Sequence, residues 1–223
     1  MIHGLTYKEY IKEEKDKIDN MTKAEKGSYF KEYYLKVCIG LFIGLVLLSW
    51  FCVDTYISMR HIIVAGGCVN LTMTDEGATY MSDDYMTLLG ASKLTNQVSF
   101  AQYIFLDDED FQSYTIFNAE IATNTYNYLI TDRKGFDYLL EIEALADLDT
   151  TLDSDLKSRT DGMQVREKMG ESKTEITAAL DITDTAFVKK YITDNETVYF
   201  VITGEEDEYE AGLKVLNYIL EVK

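Results

Sequence analysis

The chain has 223 residues and a formal charge of −18, because 39 acidic residues outnumber 21 basic ones. This charge excludes a broad surface for nucleic acid, whose phosphates would be repelled. Apolar residues make up 47% of the chain, which excludes a disordered protein, and three cysteines and two histidines argue against a disulfide framework or a zinc finger. We therefore expect about one globular domain with appendages.

Residues 1–36 form a charged leader before an apolar segment. Two capping boxes, Thr6–Glu9 and Thr22–Glu25, each predict the start of a helix, and the second helix is expected to continue into the apolar segment. Residues 37–53 contain no charge and predict a transmembrane helix, with Trp50 near its far end, where amphipathic rings favour the membrane interface. The alternative is a helix buried in a soluble core.

The lysine distribution predicts the orientation of this helix. Residues 1–36 contain eight lysines, whereas the first twenty residues after Val53 offer Arg60 as their one permanent cation. Because cationic loops resist translocation, we expect a single-pass protein of the cell membrane with a cytoplasmic N-terminus and an extracellular domain, residues 54–223. A cleaved signal peptide is the alternative, but the leader is long for one and the sequence after Ser49 offers no small-residue cleavage site.

Residues 54–223 alternate between short apolar runs and longer amphipathic segments, a pattern typical of an α/β domain. We predict strands at 62–69, 98–106, 126–130 and 198–203, and helices at 78–89, 111–123, 134–146 and 208–221. Three strands joined by two crossovers predict a parallel sheet. The polar stretch 147–180 predicts a loop with one short helix, Val165–Met169.

Several stretches resemble known families. EKGSYFKEYYLKVCIG, residues 25–40, resembles the start of uncharacterised single-pass membrane proteins of Gram-positive bacteria. Residues 118–148, and later LDITDTAF and VYFVIT, are similar to type II periplasmic solute-binding proteins. This resemblance implies a small, solute-binding-protein-like three-layer α/β domain. The 170 residues after the apolar segment are fewer than a two-lobed binding protein needs. In that family the strand before the turn often ends in an aspartate, whereas here Asp132 lies in the turn itself, so we carry over no ligand chemistry from the family.

Polar side chains follow the first three predicted strands. Ligands of open α/β sheets bind beyond the carboxyl ends of the strands, and Asn70, Asp107 and Asp132 occupy those ends. We predict these three as ligand-binding residues; the alternative is that they only terminate their strands. Residues 54–223 contain 32 acidic and 13 basic residues, so their charge of −19 favours a small neutral or cationic ligand. Calcium at Asp107, Asp108 and Asp110 is an alternative, although EF-hand spacing is absent.

Signatures of catalysis are missing from the sequence. It contains no P-loop, GxGxxG, GxSxG or HExxH motif, and its histidines, His3 and His61, fall in the leader and beside the apolar segment. We therefore predict no enzymatic activity, no cofactor and no metal site. AGGC, residues 65–68, matches a lipidation box, but its Cys68 lies fifteen residues after Val53, so we interpret its glycines as allowing a helix to pack closely.

These features predict a membrane-anchored extracytoplasmic binding or interaction module of unknown ligand, with the lipid bilayer as its partner. One alternative is an envelope scaffold that binds no ligand and assembles through the transmembrane helix and the leader. Gly40 and Gly44 form a GxxxG motif that would let two such helices approach as a homodimer. An extracellular hydrolase is the more remote alternative, because no nucleophile–base pair is evident.

Overall fold

The computed structural model describes residues 6–107, 109, 111–169, 174–194, 196–206 and 209–222. The chain divides into two compact units, Met1–Met59 and Arg60–Lys223. The described part of the first unit consists of helices joined by one short turn, whereas the second is a mixed α/β domain built on a six-stranded sheet.

The first unit contains α1 (Tyr7–Asp19) and α2 (Lys23–Ser58), and α2 includes one π-helical turn, Phe30–Tyr34. Both predicted capping boxes are confirmed, since the backbone N–H of each threonine donates to a glutamate Oε2 three residues later, at 2.8 Å. The predicted continuity of the second helix is confirmed as well, and α2 ends beyond Val53, at Ser58.

A polar cluster holds α1 against α2. The Tyr29 and Tyr34 hydroxyls both donate to Glu14 Oε2, at 2.7 and 3.2 Å, and Lys17 Nζ donates to the Tyr29 hydroxyl at 3.3 Å. The Tyr29 hydrogen bond lowers the pKa of Glu14 because it stabilises the carboxylate. The leader is therefore a helical hairpin that closes on side chains of both helices.

Helix α2 meets the length and composition requirements of a membrane span. It has 36 residues, and its most apolar window has a mean hydropathy of 2.3 with none of that window buried. A core helix of a soluble protein would instead cover its apolar side chains with other parts of the chain. The described residues leave those of α2 exposed.

One mixed sheet forms the centre of the second unit, in the order β2-β1-β3-β6-β5-β4. Its strands are β1 (His61–Val69), β2 (Asn96–Ile104), β3 (Tyr128–Thr131), β4 (Gln164–Met169), β5 (Thr174–Asp181) and β6 (Tyr199–Ile202). Strand β1 pairs in parallel with β2 and β3, whereas the pairs β3–β6, β6–β5 and β5–β4 are antiparallel. The predicted parallel sheet is thus correct for the first three strands alone.

Helices connect most of these strands. The first, α3, joins Asp75–Thr79, a π-helical turn at Tyr80–Asp84, and Tyr85–Leu88; the others are α4 (Phe111–Ala122), α5 (Arg133–Glu141), α6 (Leu148–Thr151), α7 (Ser154–Arg159), α8 (Ala186–Tyr191) and α9 (Tyr209–Leu220). All four predicted strands and all four predicted helices are present, with shifted ends. Helix α5 stops before the predicted Ala146 because the backbone turns left-handed at Glu143, where φ is 56°.

The segment 147–180 differs from its prediction. It contains α6, α7 and an antiparallel pair, β4 and β5, instead of a loop with one helix. The predicted helix Val165–Met169 is wrong because these residues alternate between half-buried and exposed positions, as a half-buried strand does. The charged side chains of Arg166 and Lys168 take the exposed positions, and β4 is an edge strand.

Alternate strand residues enter two apolar cores on opposite faces of the sheet. Tyr128 and Ile130 of β3 join the core that includes Phe187 of α8, whereas Leu129 between them joins the core that includes Phe136 of α5. Helices α3, α8 and α9 contribute to the first core and α4 and α5 to the second. The domain is therefore α/β, with helical side chains packed on both faces of its sheet.

The two glycines of β1 make room for side chains of neighbouring strands. A Cβ at Gly66 would lie 2.5 Å from the Tyr128 hydroxyl oxygen and closer still to its ring, and one at Gly67 would lie 2.6 Å from Ile104 Cδ1. The two glycines therefore allow close contacts between neighbouring strands of the sheet, and not the close packing of a helix that the sequence predicted. Cys68 beside them is fully buried, and burial raises its pKa to about 12, as expected of a packing residue.

Candidate functional site

Two of the three predicted ligand residues meet at the carboxyl ends of the parallel strands. Asn70 directly follows β1 and Asp132 directly follows β3, and Asn70 Nδ2 donates to Asp132 Oδ1 at 3.1 Å. Asn70 Oδ1 also accepts from the backbone N–H of Leu106, beyond β2, at 2.8 Å. The backbone of Asn70 is left-handed, with φ at 55°, and its side chain forms hydrogen bonds that connect the ends of β1, β2 and β3.

Asp132 has a structural role in addition. It is the N-cap of α5, and its Oδ1 accepts from the backbone N–H of Gly135 at 2.7 Å. Gly135 is required at this turn because a Cβ there would collide with Thr131 Oγ1 and lie 2.9 Å from Val69 Cγ1. Asp132 is only 7% exposed, so a ligand would reach little of it without a rearrangement of this edge.

Asp107 is not part of the Asn70–Asp132 pair. It is exposed, its Oδ1 accepts from the backbone N–H of Glu109 at 2.9 Å, and its own N–H donates to Ser113 Oγ at 3.2 Å. The other two aspartates of the alternative calcium site, Asp108 and Asp110, lie outside the described residues.

Two neighbouring cations take different positions at this edge. Arg133 pairs with Asp137 at 2.7 Å and with Glu167 at 3.1 Å, and its side chain is half exposed. Lys134 instead reaches the strand end, where Nζ donates to the Leu106 carbonyl at 2.9 Å. The cation that contacts the end of β2 is therefore Lys134, whereas Arg133 pairs with acids outside the strand ends.

An acidic cavity of about 570 Å³ lies elsewhere in the second unit. Its wall is made of Asp147, Thr150, Thr151, Glu206, Tyr209, Glu210 and Leu213. Asp147 also caps α6, with Oδ1 accepting from the backbone N–H of Asp149 at 3.0 Å. Glu210 forms an ion pair with Lys214 at 2.8 Å, which lowers its pKa. Glu206 is the third carboxylate of the wall.

A second cavity, of about 550 Å³, lies beside the start of β1. Its polar lining comprises His61, Tyr85, Asn127, Glu210 and Lys214, and its apolar lining comprises Ile62, Ile63, Val64, Leu89, Ala91 and Ala211. Burial raises the pKa of Tyr85 to about 12, so its hydroxyl is a neutral hydrogen-bonding group at physiological pH. Glu210 lines both cavities, but the lining of this second cavity also contains the basic side chains of His61 and Lys214.

The sequence prediction did not identify the residues of the acidic cavity. They come from two segments about sixty residues apart, around α6 and at the start of α9. A signal was present, because the run Glu205–Glu210 contains five acidic residues immediately before and within the first turn of a helix.

Within the described part of the chain, no group of three histidine, cysteine or acidic side chains is arranged to hold a metal ion. Comparison of the chain with protein-family models, with curated proteins and with solved structures finds no match.

Proposed function

We propose that the protein is a membrane-anchored binding module whose extracytoplasmic domain takes a small cationic ligand. Helix α2 supports the anchor, because it is long and apolar enough to cross a bilayer. The eight lysines of the leader support a cytoplasmic N-terminus, with the α/β domain on the extracellular side of the cell membrane. The proposal includes neither catalysis nor a cofactor.

The acidic cavity carries the ligand proposal. Its volume of about 570 Å³ lies within the usual range of small-molecule sites. The carboxylates of Asp147, Glu206 and Glu210 outnumber the one lysine, Lys214, that pairs with Glu210, so the cavity keeps a net negative charge that attracts cations and repels anions. The ring of Tyr209 adds an aromatic surface on which an organic cation can stack. A flexible diamine or polyamine satisfies both features, since it combines several positive charges with apolar methylene groups.

The fold is compatible with this role. A mixed sheet with helices on both faces is the coarse architecture expected of a solute-binding-protein-like domain, and we propose that relationship on the sequence resemblance. The site, however, is proposed at the acidic cavity rather than at the strand ends. Asn70 and Asp132 already bind each other and the neighbouring backbone there.

Thermal unfolding of the detergent-solubilised full chain against spermidine, Ca²⁺, neutral sugars and organic acids tests the proposal. We expect spermidine to raise the unfolding temperature and Glu206→Gln to abolish the increase. Glu205→Gln is the matched control, because Glu205 accepts a hydrogen bond from Asn124 at 2.9 Å and does not line the cavity. Asp107→Asn tests the strand-end site and should leave the increase unchanged. Stabilisation by organic acids alone would contradict the proposed charge of the ligand.

The scaffold function is the second candidate, and the span supports it. A Cβ added at Gly40 or Gly44 would meet nothing within 4 Å, so among the described residues that face of α2 is uncovered. A second copy of the helix would fit there by close backbone approach. Resonance energy transfer between labelled copies in vesicles should then be lost in Gly40→Ile, whereas Gly27→Ile, outside the apolar segment, should have no effect.

A further inference from the structure

Acidic residues are distributed unevenly over the second unit and the segment that leads into it. Residues 55–73 and 85–106 contain none, although 32 of the 170 residues from Asp54 onward are acidic. These two segments contain β1 and β2, which pair in parallel from His61 and Asn96 onward. Their starting ends therefore meet at one edge of the sheet, and that edge carries no carboxylate from either segment.

Four large apolar side chains are exposed at this edge. Leu88 and Leu94 are 63% and 69% exposed, and Ile62 and Leu89 are 49% and 40% exposed. Ile62 and Leu89 line the same cavity, so they share one surface, and Leu88 is the neighbour of Leu89. We call these four residues the leucine edge. Leaving four such side chains in water is unfavourable, which indicates that something covers them.

Two cations border the leucine edge. Arg60 Nη1 donates to the backbone carbonyl of Lys93 at 3.2 Å, which ties the loop that carries Leu94 to the start of β1. Lys93 Nζ lies 3.2 Å from Asp83, and both side chains are more than half exposed. Lys93 is paired with Asp83, so Arg60 supplies the net positive charge of this border. Cations beside apolar side chains are typical of surfaces that lie at the interface of a bilayer, where they bind lipid phosphates.

The length of the connection limits the distance between the end of α2 and the start of β1. Only Met59 and Arg60 separate the last residue of α2, Ser58, from the first residue of β1, His61. Three residue steps span at most roughly 11 Å when fully extended. This limit holds whichever way the two units are oriented, because it depends on covalent geometry alone.

We propose that the leucine edge lies on the surface of the membrane that holds α2, with Leu88 and Leu94 at the boundary between headgroups and acyl chains and with Arg60 and Lys93 on lipid phosphates. The proposal rests on the membrane anchoring proposed above. It also accounts for the absence of acids from residues 55–73 and 85–106, since unpaired carboxylates on this surface would be repelled by anionic lipids. The two acids that lie near it, Asp83 and Glu210, are each paired with a lysine.

Quenching of single tryptophans by brominated phospholipids tests the proposal in the full chain. The protein has one tryptophan, Trp50, so the wild-type chain reconstituted in phosphatidylcholine–phosphatidylglycerol vesicles reports the anchor alone. Trp50→Phe combined with Leu94→Trp reports the leucine edge, and Leu88→Trp in the same background repeats the measurement at a second position.

Phe111→Trp in the same background is the control. Phe111 is 84% exposed but follows the opposite end of β2, and the nine residues of that strand place the two ends about 26 Å apart. All variants should first give the circular dichroism spectrum of the wild-type chain, and at least one of the two leucine variants must do so for the quenching to be interpreted.

We expect bromines near the headgroup end of the acyl chain to cause a loss of fluorescence at positions 50 and 94, a blue-shifted emission at 94, and no loss at 111. Quenching at 50 without quenching at 88 or 94 would overturn the inference while leaving the anchor intact. Equal quenching at 94 and 111 would also overturn it, because the contact would not be specific to the leucine edge. No quenching at 50 would refute the anchor itself and, with it, this inference.

Discussion

The substitution Gly66→Ala tests the packing at the centre of the sheet. Its Cβ would lie 2.5 Å from the Tyr128 hydroxyl oxygen and closer still to the Tyr128 ring. The ring is fully buried and stacked between Phe100, at 6.4 Å, and Phe200, at 5.6 Å between ring centroids. The backbone at Gly66 is not left-handed, so steric overlap is the cost of the change.

Overpacking of a rigid core costs about 1–3 kcal/mol, and replacing glycine within a strand offsets this by about 0.5–1 kcal/mol. Because the added Cβ would overlap a fully buried ring, we take the upper end of the overpacking range, about 3 kcal/mol, and subtract about 1 kcal/mol for the loss of glycine. We therefore expect Gly66→Ala to lower the free energy of unfolding by about 2 kcal/mol, and the melting temperature by roughly 4–8 °C at this size. Gly67→Ala is the matched control. Its Cβ would lie 2.6 Å from Ile104 Cδ1 and 3.2 Å from Leu129 Cδ2. Both are terminal methyl groups of flexible side chains that can rotate away, so we expect a change below about 1 kcal/mol.

The assay is urea unfolding of the fragment Arg60–Lys223, followed by circular dichroism. This fragment is one compact unit that contains both apolar cores, and we expect it to fold alone as an acidic monomer with a mixed helix–strand spectrum. In a double-mutant cycle, Tyr128→Leu should relieve part of the cost of Gly66→Ala. Equal effects of the two glycine substitutions, or a purely additive cycle, would refute the steric reasoning; a random-coil spectrum would refute the domain assignment.

Three further predictions concern the cap, the alkaline limit and the topology. Asp132→Ala should lower the free energy of unfolding in urea by about 1–2 kcal/mol, and Asp132→Asn should lower it by less, because asparagine still caps a helix. Equal losses in the two variants would contradict the capping role of Asp132. Burial raises the pKa of Cys68 from 9.0 and of Tyr85 from 10.0, each to about 12. Because the unfolded chain releases these protons at a lower pH than the folded one, the free energy of unfolding should fall between about pH 9 and pH 12, and it should fall less steeply in Tyr85→Phe. An unchanged dependence on pH in that variant would argue against the buried hydroxyl. In intact cells an impermeant maleimide should label Asp155→Cys, whose native side chain is 80% exposed, and not Lys15→Cys, and the reverse result would invert the topology.

The sequence predicted best those elements whose patterns depend on local physics. The capping boxes at Thr6 and Thr22 formed as predicted because each satisfies backbone N–H groups within four residues. The buried strands were recognisable as apolar runs, because a strand covered on both faces has no polar side. The meeting of Asn70 and Asp132 followed from the rule that parallel strands end at the same edge.

The features that were missed depend on contacts distant in sequence. Strand β4 carries charges at Arg166 and Lys168 because it is an edge, and its alternation is too short to distinguish from a helical turn without β5 beside it. The acidic cavity needs α6 and α9 side by side, which neither segment encodes alone. The role of Asp132 as an N-cap was readable, however, since an aspartate stands directly before the predicted helix there.

Native mass spectrometry of the full chain, purified from membranes of a natural host in mild detergent, tests the central claim most directly. The account predicts a small cationic adduct on the wild-type protein that is lost in Glu206→Gln and retained in Glu205→Gln. An anionic adduct, an adduct that both variants retain, or a wild-type protein without any adduct would contradict a cation-binding function at the acidic cavity.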